Sequence, residues 1–326
     1  MKVVVTGAAG FIGSNLTKRL EKDPDTELVL VDDFSRGKQG YLDYLGVKTR
    51  CYKSDLRDYE TASNLIKNAD VVYHTACRIG GVQFLHGSSA KELLALQENL
   101  VIDRNVFKVC VEHKIKKIIY TSSISVYNTN MQYKTNAVFR EEDLIEQPID
   151  PEGGYGWAKY VAEKELKMMS ECGMKVGVAR IFKSYGSCDD YSEESGQVVC
   201  SLCRKAINYP KEEFIVWGDG SVSRCLVYID DLIDALIQLE KQITNKSLTV
   251  NLGGNRPIPI KELAERIVNI SDKNIKIKYD TTKPVGPLSR IPDLSRAKKT
   301  LNWEPTTNLD EGLRRTYQWM EETLKG

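Results

Sequence analysis

A glycine-rich turn between a strand and a helix constrains this chain more than any other feature. Thr6-Gly7-Ala8-Ala9-Gly10-Phe11-Ile12-Gly13 follows the apolar run Lys2–Val5 and opens a helix expected from Ser14 to Glu21. Glycine at 7 permits a tight turn, glycine at 10 lets a ligand approach the backbone, and glycine at 13 allows close helix–strand packing. A helix that starts this way offers N–H groups and the positive end of its dipole to a phosphate. The next strand, Glu27–Val31, ends in Asp32-Asp33, about 20 residues on, where a carboxylate can hold a ribose 2′-hydroxyl. Strand, glycines, helix and acid in this order read as a dinucleotide site.

The rest of the first half repeats the pattern. Val71–His74 and Lys117–Thr121 are short apolar runs separated by helical stretches at Ala62–Lys67 and Asn99–His113, and Val176–Ile181 follows a helix that begins near Tyr155. Strands alternating with helices predict an α/β fold, a Rossmann-type doubly wound parallel sheet covered on both faces. Beyond Ile181 the regularity fades, while Cys225–Ile229 and Leu248–Leu252 look like strands returning to the main sheet. The expected division is a nucleotide-binding domain over 1–181, with strands returning at about 225–252. A smaller, discontinuous substrate lobe takes 182–224 and 253–326.

Composition narrows the partners. The 326 residues carry 46 basic and 45 acidic side chains, a net charge of +1, so nothing favours nucleic acid or an anionic membrane. No apolar run approaches the roughly 18 residues of a membrane span. The opening MKVVVTGAAGFIG is too short and too broken by glycine for a signal region, and the eight cysteines are scattered. A cytoplasmic protein with reduced thiols is expected. Cys200-Ser-Leu-Cys203 has no second pair to complete a tetrahedral zinc site and lies in the helical pattern VVCSLCRKAI, so no metal is expected.

Tyr155-Gly-Trp-Ala-Lys159 opens a good helix former. The four-residue spacing stacks phenol and ammonium on one face. A free tyrosine, with a pKa of about 10, is a poor base at neutral pH. A lysine cation together with a cationic nicotinamide would favour the phenolate, which could take a proton from a sugar hydroxyl while hydride leaves the same carbon. Thr121-Ser122-Ser123-Ile124-Ser125-Val126-Tyr127 follows an apolar strand, at the carboxyl edge where open α/β sheets bind ligands. A carboxylate at Asp32 or Asp33 repels a 2′-phosphate and favours NAD over NADP, while Arg36 close by works against that preference.

With these motifs the chain resembles the extended short-chain dehydrogenase/reductase family, in particular its NAD-dependent nucleotide-sugar epimerases and dehydratases. The likeness runs over nearly the whole length and includes GAAGFIG, SSISVY and YGWAK. It implies Ser123, Tyr155 and Lys159 as the catalytic triad. It implies a cofactor site from Gly7, Gly10, Phe11, Ile12, Gly13, Asp32, Asp33, Ser35 and Arg36, with Asp55-Leu56 at the adenine, Thr75 and Ala76 beside the cofactor, and Asn99, Tyr155 and Lys159 completing it. The resemblance also implies a nucleotide diphosphate at Arg224, in Gly218-Asp219-Gly220-Ser-Val-Ser-Arg224, and a substrate segment at Arg290. Homodimers formed through helices equivalent to Asn99–His113 and Tyr155–Ser170 are common in that family.

Within it, the strongest likeness is to GDP-mannose 3,5-epimerases, through Ile79-Gly80-Gly81-Val82, CRKA followed by Phe214–Gly220, and Glu311–Tyr317. Gly81 and Val82 are accordingly expected at the substrate. Those enzymes invert carbons beside a 4-keto group with a cysteine and a lysine. Ser125 stands at the cysteine position and Gln197 at the lysine position, and neither a hydroxyl nor an amide titrates near neutral pH. Lys183 replaces the usual asparagine; contact with a sugar phosphate, an acid–base role and a structural role are all open to it. The simplest remaining chemistry is C4 epimerisation of a UDP- or GDP-hexose through a transient 4-keto sugar, with NAD tightly bound. A 3,5-epimerase with altered acid–base residues is the alternative. The acidic pair of a 4,6-dehydratase is absent, and a non-catalytic NAD-binding regulator would not be expected to keep Ser123, Tyr155 and Lys159.

Overall fold

The computed structural model describes residues 1–79, 88–134, 136–193, 196–244, 247–283, 285–287 and 290–325. Seven parallel strands form the central sheet: β1 (Lys2–Thr6), β2 (Glu27–Asp32), β3 (Cys51–Lys53), β4 (Val71–His74), β5 (Lys117–Ser123), β6 (Lys175–Ile181) and β7 (Leu248–Leu252). Their order is β3-β2-β1-β4-β5-β6-β7. The chain therefore winds outward from β1 to β3, returns to β4 beside β1, and continues the other way. A crevice opens at such a reversal, outside the carboxyl ends of β1 and β4.

β1 shows why the sheet needs cover on both sides. Val3 and Val5 face one layer with Leu16 and Leu232, whereas Val4 faces the other with Val72, Phe107 and Leu166, and all are buried. This alternation is the two-residue period of a strand, yet the run is apolar throughout because both faces are covered. The first layer holds α1 (Phe11–Leu20) and α5 (Ile229–Gln242), the second α2 (Ser89–Glu112) and α3 (Gly153–Glu171); α4 (Val198–Asn208) belongs to the C-terminal part. In α5 the buried residues Ile229, Leu232, Ile233, Leu236 and Leu239 recur at helical spacing.

The expected return of Cys225–Ile229 to the main sheet is not what the structure has. Leu226–Tyr228 pairs in parallel with Lys183–Tyr185 as a separate two-stranded sheet. The place beside β6 is taken by β7, in register Leu248↔Gly177 to Leu252↔Ile181. The same buried cluster joins Val3 and Leu16 to Leu202, Trp303 and Trp319, so the C-terminal part packs on the sheet without a core of its own.

A buried polar network braces the carboxyl ends of β5, β6 and β7. Arg180 donates to Glu163 (2.7 Å), the Tyr127 hydroxyl (2.9 Å) and the Glu141 carbonyl (3.0 Å). Glu163 also accepts from Ser122 Oγ (2.5 Å), and the Tyr127 hydroxyl donates to Asn251 (2.6 Å). Among the described residues, no helix is long and apolar enough to cross a membrane.

Candidate active site

One cleft lies along the carboxyl edge of the sheet and reaches from Asp55 and Leu56 to Lys183 and Gln197. Gly7, with φ +67°, makes the turn after β1, and its carbonyl accepts from Gly10 N (3.1 Å). A Cβ at Gly13 would lie 2.0 Å from the Gly7 carbonyl oxygen, so only glycine lets α1 start this close to β1. Gly10, Phe11, Ile12 and Gly13 line the cleft at the N-terminus of α1, where N–H groups lack intrahelical partners. That cradle fits a pyrophosphate.

Asp32 and Asp33 also line the cleft. Asp32 is buried, and its carboxylate accepts from Ala9 N (2.9 Å) and Phe34 N (2.8 Å), so it also fixes the loop that lines the cleft. Burial pushes its pKa up, against those two N–H donors. Ser35, Arg36, Asp55, Leu56, Thr75 and Ala76 line the same cleft. Thr75 Oγ1 donates to the Thr6 carbonyl (2.7 Å), which fixes the exit from β4.

Ser123 and Tyr155 both line the cleft. Burial, the largest effect, and the Cys77 thiol push the phenol pKa well up, while the Ser123 hydroxyl works to lower it. The lowering by Lys159 expected from sequence is not the dominant influence. Lys159 is fully buried, its ammonium 4.2 Å from the Tyr120 ring centre and 5.8 Å from that of Tyr155. The Tyr120 hydroxyl donates to Asp103 (2.8 Å), and Asp103 also meets His74 Nε2 (3.0 Å). Lys159 Nζ has no hydrogen-bond partner among the described residues. A buried ammonium with unused donors fits a ligand that brings hydroxyl oxygens.

The other expected residues fall into two groups. Lys183 and Gln197 line the cleft, and the Lys183 ammonium donates to the Gln197 amide oxygen. Burial pushes Lys183 down and the neighbouring cleft residue Asp189 up. Ser125, Arg224 and Arg290 do not line the cleft. Ser125 Oγ donates to Glu152 (2.9 Å), which also accepts from Arg290 (2.6 Å), while Arg224 holds the Val285 and Pro287 carbonyls. Asn99 sits behind the cleft, where its amide accepts from Arg78 N (2.7 Å) and donates to the Arg78 and Ala95 carbonyls. Gly81 and Val82 lie outside the described residues. On α4, burial pushes the Cys200 and Cys203 thiols up, away from the thiolate a metal needs.

Five residues escaped the sequence reading: Cys77, Asp103, Glu152, Asp189 and Asp190. Asp103 was within reach, because it lies four residues after Asn99 and so shares its helix face. The others carry no motif and are assembled only by the fold.

The profile of the NAD dependent epimerase/dehydratase family matches residues 3–253. GDP-mannose 3,5-epimerase 1 of Oryza sativa subsp. indica is 27% identical over 329 residues, covering 100% of this chain and 83% of that protein. UDP-glucuronic acid decarboxylase 1 of Arabidopsis thaliana is 28% identical and covers 97% and 68%. Among solved structures, UDP-glucose 4-epimerase of Thermotoga maritima superposes with a TM-score of 0.86 at 25% identity, covering 99% of this chain and 100% of that one. UDP-N-acetylglucosamine 4-epimerase of Methanobrevibacter ruminantium gives 0.85 at 26%, covering 99% and 98%. The glycine cradle at the sheet reversal, the acids after β2 and the matched profile agree: this chain belongs to the NAD-dependent epimerase/dehydratase family.

Proposed function

We propose that this enzyme oxidises a UDP- or GDP-linked hexose at C4, lets the 4-keto sugar turn over in the site, and reduces it from the opposite face. The observation that carries this reading is that Ser123 and Tyr155 line one cleft with the glycine cradle, backed by the Lys159 ammonium, which has no partner among the described residues. When bound, NAD supplies the hydride acceptor and a ring cation. Tyr155 takes the C4 hydroxyl proton and Ser123 holds the same oxygen. Burial opposes the phenolate and the Ser123 hydroxyl favours it; a Lys159 cation 5.8 Å from the ring centre acts in the same direction as Ser123. Lys159 also holds ribose hydroxyls. Arg224, which lies outside the cleft, would have to leave the Pro287 and Val285 carbonyls to reach the nucleotide diphosphate, and Arg290 would have to leave Glu152 to reach the substrate.

One observation favours a second reading, 3,5-epimerisation. The lysine absent at 197 is present at 183 and touches Gln197, and Ser125 has the Glu152 carboxylate as its partner. Lys183 would then move a proton at a carbon flanking the ketone. NMR with UDP-glucose, UDP-N-acetylglucosamine, UDP-glucuronate and GDP-mannose in deuterated water separates the two. Inversion at C4 without exchange supports the first reading, and deuterium entering C3 or C5 supports the second. No reaction with any of the four sugars counts against both.

We further propose a homodimer built on α2 and α3. Leu94 and Val101, seven apart on α2, and Trp157 and Met168, eleven apart on α3, are exposed apolar residues at spacings that keep each pair on one face. Sedimentation velocity should give a dimer for the native chain and a monomer for Leu94→Glu with Val101→Glu. A native monomer rejects the proposal.

A further inference from the structure

Arg36 and Asp190 both line the cleft but come from segments 154 residues apart in the chain. Arg36 follows β2, which ends at Asp32, in the loop that carries Asp33 and Ser35, where an arginine can meet a 2′-phosphate. Asp190 lies far along the chain, beyond β6. Their side chains meet at 2.6 Å, with only 28% and 21% exposure. Neighbouring contacts hold the two segments together. The Tyr41 hydroxyl donates to the Asp189 carbonyl (3.4 Å), and Asn15 Nδ2 donates to the Ser187 carbonyl (3.1 Å). The Lys38 ammonium lies 4.7 Å from the Tyr191 ring centre. The ion pair is therefore held in place by its surroundings, unlike an isolated surface pair.

The second arginine at this end of the cleft is committed as well. Arg57 donates to Asp55 (2.7 Å) and Glu98 (2.7 Å). A 2′-phosphate placed here would meet the Asp32 and Asp33 carboxylates while both nearby guanidinium groups are already neutralised. Rejection of a competing ligand by uncompensated charge is an ordinary source of specificity.

We propose that Asp190 is a specificity-determining residue for the dinucleotide: by holding Arg36 it denies a 2′-phosphate its cation, so the site takes NAD and rejects NADP. Arg36, which by sequence alone argued for NADP, thus becomes part of the preference for NAD. The acids after β2 exclude the phosphate by repulsion, and Asp190 does so by occupying the group that would attract it.

The test uses protein stripped of nucleotide and titrated calorimetrically with NAD and with NADP, without sugar, so its outcome is independent of the C4 reading. Native protein should prefer NAD. In Asp190→Asn the ratio of the two dissociation constants should shift toward NADP by on the order of tenfold, the worth of a charge-assisted hydrogen bond. Asp190→Glu should keep the native ratio. Adding Arg36→Ala to Asp190→Asn should remove the gain in NADP affinity. An unchanged ratio in Asp190→Asn overturns the proposal. So does an equal weakening of both nucleotides, which would mean that Asp190 only braces the loop.

Discussion

Tyr155→Phe is expected to lower kcat by a factor of about 10² to 10⁴, the range for removing a general acid–base group, while the protein still carries NAD. The substitution deletes one hydroxyl and keeps the ring that packs in the cleft. The glycine cradle, Asp32 and the Lys159 ammonium are untouched, and these are the groups assigned to the cofactor. Ser123 remains at the end of β5. Turnover of an accepted sugar nucleotide and the amount of NAD released on denaturation are measured on the same preparation. Near-native turnover would remove Tyr155 from the chemistry. Loss of NAD together with activity would make it a binding residue instead.

Glu163→Ala should destabilise the fold by about 3–5 kcal/mol, the range for stripping one partner from a buried ion pair. Arg180 would keep only neutral partners, the Tyr127 hydroxyl and the Glu141 carbonyl, and Ser122 would lose its acceptor. Burial already works against the Arg180 charge, and Glu163 is the first counterweight to it. At roughly 2.1 cal/mol/K of unfolding entropy per residue, a chain of this size should melt about 4–7 °C lower. Replacing both partners with leucine should recover most of the loss, because no unpaired charge remains. Calorimetry of nucleotide-free protein checks both variants, and a shift under about 1 °C for Glu163→Ala would contradict the assigned weight.

The strands most readily read from the sequence are those buried on both faces. β1, β4, β5 and β6 are near-continuous apolar runs, because a parallel sheet leaves few polar positions along them. β3 could not be found this way, being three residues long with Tyr52 and Lys53 exposed. Leu226–Tyr228 was recognisable as a strand but not by its partner, since a short apolar run says nothing about which edge it will meet. In the same way, the glycine turn and Tyr155–Lys159 announce themselves because each motif lies within one turn or helix. The Arg36–Asp190 pair spans 154 residues and the Glu152–Arg290 pair 138, and no local pattern marks either. The departures at Ser125 and Gln197 were visible as missing acid–base groups. What the fold adds is that Lys183 lies on Gln197 and Glu152 on Ser125, so the altered positions are not empty of titratable chemistry.

Hydride transfer at C4 is most directly tested with UDP-glucose, UDP-N-acetylglucosamine, UDP-glucuronate and GDP-mannose deuterated at that carbon and incubated with the purified enzyme in ordinary water. The expected result is a C4-inverted product from at least one of them that still carries its deuterium, because the same hydride leaves and returns within one site. Inverted product that carries hydrogen at C4, or no C4-inverted product from any of the four, would contradict the mechanism.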